Sequence, residues 1–195
     1  MKTKPQQALS NNRFESAFRK DDGHFLIEFR LESLERFFNP FDPSPITDRD
    51  IDDDVERYIV ESVRGFPLKA KLKLVFYLPH HQHVQASQVL AQAIDNYFDF
   101  KAITASRELQ STLYEGRVAL VFGLIFLIVC MTLHTLLSFI DQYTWGTILL
   151  EGLNIIGWVA MWRPIQIFLY DWWATARKRK IYEKIRDLPI EMIID

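Results

Sequence analysis

The run VALVFGLIFLIVCMTLHTLLSFI, Val118–Ile140, contains no Asp, Glu, Lys or Arg. As an α-helix it would extend about 34 Å, enough to cross the hydrocarbon core of a bilayer. A helix apolar all round is either a buried core helix or a membrane span, and so long a run without charges is rare in soluble domains. It is therefore expected to span a membrane. A second run, Trp145–Tyr170, is at least as long but carries Glu151, Asn154 and Arg163. The link DQYTWGT, residues 141–147, is short and turn-like, so two spans joined by it must form an antiparallel hairpin.

Within the second run Arg163 and Pro164 stand side by side. An Arg at the centre of a span costs about 2.5–3.5 kcal/mol. Pro164 removes the N–H that would bond the carbonyl of Ala160. The pair predicts a kinked helix whose arginine reaches the headgroups or a protein interface. Orientation follows from the basic flanks: the link has no Lys or Arg, whereas Arg107 and Arg117 precede the first run and Arg177, Lys178, Arg179 and Lys180 follow the second. The positive-inside rule then puts both termini in the cytoplasm. The same basic run is suited to anionic lipid headgroups.

The remainder reads as a small α+β domain. HFLIEFRLE, residues 24–32, and KLKLVFYLP, residues 71–79, alternate with strand period. Between them Ile51, Val55, Tyr58, Ile59 and Val63 make one helical stripe, with Asp48 or Asp50 as the expected cap. A strand-helix-strand unit favours a parallel crossover. Two strands make a marginal sheet, so further strands are expected from residues 14–18, from residues 34–38 or from another subunit. Residues 81–115 hold no Gly or Pro and read as a long helix, with Gly116 as a hinge before the first span. The expected organisation is a flexible tail (1–23), a cytoplasmic α/β domain with the long helix (24–115), a transmembrane hairpin (116–173) and a basic amphipathic tail (174–195).

Chemistry is thinly represented. Asp50, Asp52 and Asp53 lie in an acidic cluster that a divalent cation would suit, but the spacing is not that of an EF-hand, and acids at a helix start are favourable without a metal. His80, His81 and His83 could bind a transition metal, yet no Cys or second His pair completes a zinc spacing. There is no nucleophile elbow and no phosphate-binding glycine loop. The single cysteine, Cys130, lies in the apolar run, and the net charge of −2 leaves no footprint for nucleic acid. No catalytic residue and no cofactor are expected.

The polar residues inside the spans carry more. His134 and Glu151 lie at similar depth from the link and could pair. With Asn154 and Arg163 they are the intramembrane polar candidates, since such residues are functional by default. Ala119 and Gly123 share a face of the first run with Cys130 and His134. Gly157, Ala160 and Pro164 share one on the second, and small residues of this kind allow close helix packing. Glu151, Asn154, Trp158, Trp162 and Gln166 lie on another face, expected to meet another subunit or a membrane protein.

The segments EGLNIIGWVAMWRPIQIFLYDWW, Glu151–Trp173, and DRDIDDDVERYIVESVRGFP, Asp48–Pro67, resemble an uncharacterised family of bacterial two-pass inner-membrane proteins. The resemblance implies a bacterial inner-membrane setting and carries over no site. The function expected is a non-enzymatic, oligomeric scaffold or partner-binding module, with the sheet face carrying Phe76 as an assembly surface. The alternative is a subunit of an oligomeric channel or transporter. A metal-dependent membrane enzyme ranks third.

Overall fold

The structure, a computed structural model, describes residues 14–79 and 83–194. It is α+β: a small four-stranded sheet with helices, two of which are long and apolar. The chain divides into two compact units, Met1–Ile103 with Lys178–Asp195, and Thr104–Arg177. The second unit is thus inserted, in sequence, into the first.

In the sheet unit β1 (Lys20–Asp21) runs antiparallel to β2 (His24–Arg30). The connecting residues Asp22 and Gly23 both have positive φ, 42° and 77°. This is the backbone that Asp-Gly favours in a two-residue hairpin. Residues 14–23 therefore join the sheet unit, although by sequence they group with a tail; residues 1–13 lie outside the described residues. Phe14 and Phe18 close on Phe66, with ring centroids 5.2 and 5.1 Å away.

From β2 the chain passes through a 3₁₀ turn, Leu34–Phe37, and helix α1 (Asp53–Gly65) to β3 (Leu72–Leu78), which is parallel to β2 with Phe29 opposite Phe76. Helix α1 starts at Asp52, whose carboxylate accepts from the backbone N–H groups of Asp54 and Val55. That satisfies two donors the first turn would otherwise leave open. The cap is therefore Asp52 and not Asp48 or Asp50.

The missing strand comes from the far end of the chain. β4 (Ile190–Ile194) lies parallel to β3, with Leu74 opposite Ile190 and Leu78 opposite Ile194. The segment 34–38, considered above as a strand, instead supplies Leu34, Phe37 and Phe38 to the core. Strand order is β1-β2-β3-β4. The β3-to-β4 connection contains helix α2 (His83–Leu136), the whole inserted unit and helix α5 (Trp172–Arg186). Both parallel connections step across the sheet in the same direction, and right-handed crossovers then put their helices on one face. Leu72, Leu74, Phe76 and Leu78 are fully buried there, as are Ile59 of α1, Ile94 and Phe98 of α2 and Ile185 of α5. Phe76 stacks on Phe29 at 5.1 Å and meets Phe37 edge-on at 5.6 Å. Its face is core, which corrects the expectation that Phe76 offers an assembly surface.

Polar ties fix the helices of this unit. Glu56 accepts from the Tyr97 hydroxyl at 2.6 Å and from Lys101 Nζ at 3.0 Å, joining α1 to α2. Burial, then the Glu56 carboxylate, pushes the Tyr97 phenol well above its ordinary value, so it stays a donor. Arg186 reaches Asp99 at 2.8 Å, joining α5 to α2. Lys184 donates to the carbonyls of Pro67 and Ala70, and burial lowers its pKa.

In the inserted unit the first helix is the continuation of α2, which runs unbroken through Gly116. Gly116 is a packing point, not a hinge: a Cβ there would lie 2.8 Å from Ile167. After a 3₁₀ turn, Ser138–Gln142, come α3 (Thr144–Val159), α4 (Trp162–Gln166), a π turn at Ile167–Asp171 and then α5. The runs Val89–Leu136 and Thr144–Arg186 are each long and apolar enough to cross a membrane.

Replacing Phe76 by Ala should lower the stability of the sheet unit by about 3–5 kcal/mol, as expected for a fully buried ring. Limited proteolysis against temperature will read this as earlier cleavage within residues 24–78.

Candidate functional site

The two long apolar helices are where structure and composition conflict with water. From Gly116 to the end of α2 the buried positions are Gly116, Gly123, Leu127 and Cys130; on the returning helix, up to Ile167, they are Gly146, Leu150, Gly157, Pro164 and Ile167. Both sets recur at intervals of three, four and seven residues, the spacing of a coiled-coil seam. Small residues make the seam close. A Cβ at Gly123 would stand 3.0 Å from the Ala160 carbonyl oxygen, and one at Gly157 would stand 3.0 Å from Cys130 Cβ. Elsewhere around these helices large apolar side chains lie open, among them Phe122 at 70 % exposure, Ile128 at 55 % and Val159 at 63 %.

The seam fixes depth. Gly116 lies against Ile167 and Gly123 against Ala160, whereas Gly157 lies against Cys130 and Gly146 against Ile140, so the helices are antiparallel and paired residue numbers sum to 283 at the first two contacts and to 287 and 286 at the two nearer the link. Arg163 is thus level with Leu120, within a turn of Arg117 and near one end of the Val118–Ile140 run. Asn154, between the Gly157 and Gly146 contacts, is level with about Leu133, inside that run on its link side. Glu151 is level with about Leu136, within a turn of His134.

Arg163 does not stand alone. Its guanidinium lies 3.6 Å from the Asp171 carboxylate, eight positions on. Eight residues of α-helix would rise about 12 Å. The intervening π turn places more residues in each turn and shortens that rise. Pro164 is buried in the seam, and the carbonyl it strands, that of Ala160, is the atom aimed at Gly123. A Cβ at position 123 would crowd that oxygen at 3.0 Å, so glycine there eases its approach.

Other candidates are not brought together. His134 and Glu151 are both exposed and share no hydrogen bond or ion pair among the described residues. Glu151 is one position, about 100°, away from the seam residue Leu150. Ala119 and Ala160 flank the seam, half-buried. Asn154 and Gln166 open into shallow hollows on the outward side of the second helix. One, of about 390 Å³, is lined by Asn154, Ile155, Trp158, Val159 and Trp162. The other, of about 420 Å³, is lined by Trp162, Ile165, Gln166 and Tyr170. In the basic run Arg177, Lys178 and Lys180 are exposed, while Arg179 pairs with Glu183 at 2.8 Å.

The acidic cluster has structural work. Asp52 caps α1, Asp54 pairs with Arg57, and Asp48 accepts from Asn96 at 3.2 Å. Asp50 offers its backbone N–H to Asp42, which holds the Asp42 carboxyl below its ordinary value. Asp53 adds charge in the first turn of α1, where the helix dipole favours it. Among the described residues no group of His, Cys, Asp and Glu gathers as a metal ion would need. His80 and His81 lie outside the described residues, as does the side chain of His83. A cleft of about 310 Å³, lined by Thr47, Asp48, Arg49, Asn96, Tyr97 and Phe100 among others, was not foreseen. It forms because loop 47–50 folds against α2, and such long-range contact leaves no local pattern in sequence.

No protein-family model, curated protein or solved structure matches the chain. The site is therefore read from its own residues.

If the glycine seam sets the helix spacing, Gly157→Leu must force the helices apart at Cys130, which is 2 % exposed. Labelling of this single cysteine by a small maleimide should be slow in the native protein and markedly faster in the variant.

Proposed function

We propose that the protein is a non-enzymatic integral membrane protein of the bacterial inner membrane. Its two apolar helices cross as a hairpin and hold the α+β unit, with both termini, on the cytoplasmic side, where it serves as an oligomeric scaffold or partner-binding module. The observation that carries this reading is the exposure of the apolar helices: only 17 % of the most apolar window of each is buried in the chain. The core helix of a soluble protein would be mostly covered. Contiguous apolar surface on this scale is not left facing water, and lipid is the solvent that accepts it on all sides.

Connectivity supports an even number of crossings. β3 feeds the outgoing helix, and the returning helix delivers β4 to the same sheet beside β3. The two inner helix ends must then lie on one side of the bilayer. Charge supports that side being cytoplasmic: Arg107, Arg117, Arg177, Lys178, Arg179 and Lys180 lie toward these ends, and residues 141–147 carry no Lys or Arg. A scaffold rather than an enzyme is favoured because Asp52, Asp54, Glu56, Tyr97, Asp99 and Arg186 of the sheet unit are engaged in caps and ties between its own elements.

Single-cysteine labelling tests the reading. In a Cys130→Ala background, Gln142→Cys should react with a membrane-impermeant maleimide in intact spheroplasts, whereas Lys178→Cys should react only after lysis. Recovery of the protein in the soluble fraction, or the reverse labelling pattern, would overturn it.

A further inference from the structure

We infer that the outward face of α3 around Asn154 is the contact between two copies of this chain, paired about a two-fold axis along the membrane normal, with the two Asn154 carboxamides bonded to each other. This rests on reading the long helices as membrane spans.

Depth comes first. Asn154 is level with about Leu133, inside the 118–140 run, where lipid offers neither donor nor acceptor. Its side chain is exposed and makes no hydrogen bond among the described residues. Trp158, one turn on and 60 % exposed, adjoins Gly157, which lies against Leu127 and Cys130, and its indole N–H likewise has no hydrogen-bond partner among the described residues. Interfacial tryptophans belong at the ends of a span; this one is inside it. Two polar groups on one flank, both deep and both unpaired, are expensive against lipid alone.

The chemistry selects the occupant. A carboxamide is donor and acceptor at once, so it is its own complement: a two-fold axis sets each Asn154 N–H₂ against the other copy's carbonyl oxygen. Copies inserted with one topology are parallel, so residues meet their own kind at equal depth, as an isologous contact requires. Beside the amide lies the hollow of about 390 Å³ bounded by Ile155, Trp158, Val159 and Trp162. It is open to receive the partner's side chains, and the Trp158 N–H then has the opposite Asn154 oxygen one turn away. Glu151 sits a turn nearer the link, so its carboxyl can reach toward the headgroups and need not oppose its copy.

The test uses the full chain in native membranes, with Cys130→Ala as background. Ile155→Cys, beside Asn154, should give an oxidised species of twice the monomer mass; Ile156→Cys, about 100° around the helix, should stay monomeric. Asn154→Leu should weaken pairing about 5- to 30-fold, the range an interhelical hydrogen bond supports, and Asn154→Gln should restore most of it. Equal cross-linking at 155 and 156, a cross-link to a protein of another mass, or undiminished pairing in Asn154→Leu would each overturn the inference. Alkaline extraction of the same samples separates this from the underlying reading: if the parent protein leaves the membrane pellet, the spans themselves are wrong, whereas a pelleted monomer refutes only the pairing.

Discussion

The pairing of Leu74–Leu78 with Ile190–Ile194 is the constraint on which the rest depends. More than a hundred residues separate the two strands, yet their backbones are hydrogen-bonded neighbours. Closing so long a loop costs less entropy than its length suggests, because the cost grows only as the logarithm of length. Here the loop is also stiff, being two antiparallel helices held by a glycine seam. The sheet unit therefore cannot be completed until the chain has gone out and come back. Lys73–Glu191 at 2.9 Å, Arg186–Asp99 at 2.8 Å and Lys184 on the carbonyls of Pro67 and Ala70 all secure the returning segment to what preceded it. Removing the last few residues would strip an edge strand, and with it the far side of β3.

What was legible in the sequence was what short-range physics writes there. Strand alternation at 24–32 and 71–79, the stripe of α1 and the uncharged run at 118–140 are periodic or compositional, and each has its element. The hairpin at Lys20–His24 was also written, in Asp22–Gly23, but it was obscured by the polar residues around it. β4 was not legible: IEMII is short and lacks sustained alternation, and its partner is remote in sequence. Capping was legible in kind but not in place. Any of several aspartates satisfies the rule for a helix start, and only the fold of the preceding loop puts the Asp52 carboxylate over the first N–H groups.

The seam between the long helices explains why Arg163 and Pro164 coexist in an apolar run. Sequence alone measures depth along one helix, and along the second helix the pair stands well inside. Depth is set by the pairing of two helices, and Gly123 against Ala160 moves Arg163 to the level of Leu120. There its charge has Asp171 to one side and Arg117 within a turn. Both helices then present a band free of Asp, Glu, Lys and Arg, apart from Glu151 on the link side. Pro164 follows from the same contact. Its ring occupies the seam, its missing N–H frees the Ala160 carbonyl, and a glycine opposite lets that carbonyl approach. The three residues are one arrangement, and replacing any of them leaves the other two without a reason.

The same register sharpens the contrast between Arg163 and Asn154. Arg163 carries a full charge but lies near the end of the band, with a carboxylate 3.6 Å away and a side chain long enough to reach water. Asn154 carries only a dipole, yet it lies inside the band with no hydrogen bond among the described residues and a side chain too short to leave. In a low-dielectric medium the second situation is the harder to sustain, since an unmet donor and acceptor there forfeit their hydrogen bonds altogether. The residue that looks most anomalous in the sequence is therefore provided for within the chain, and the one that looks mild is not.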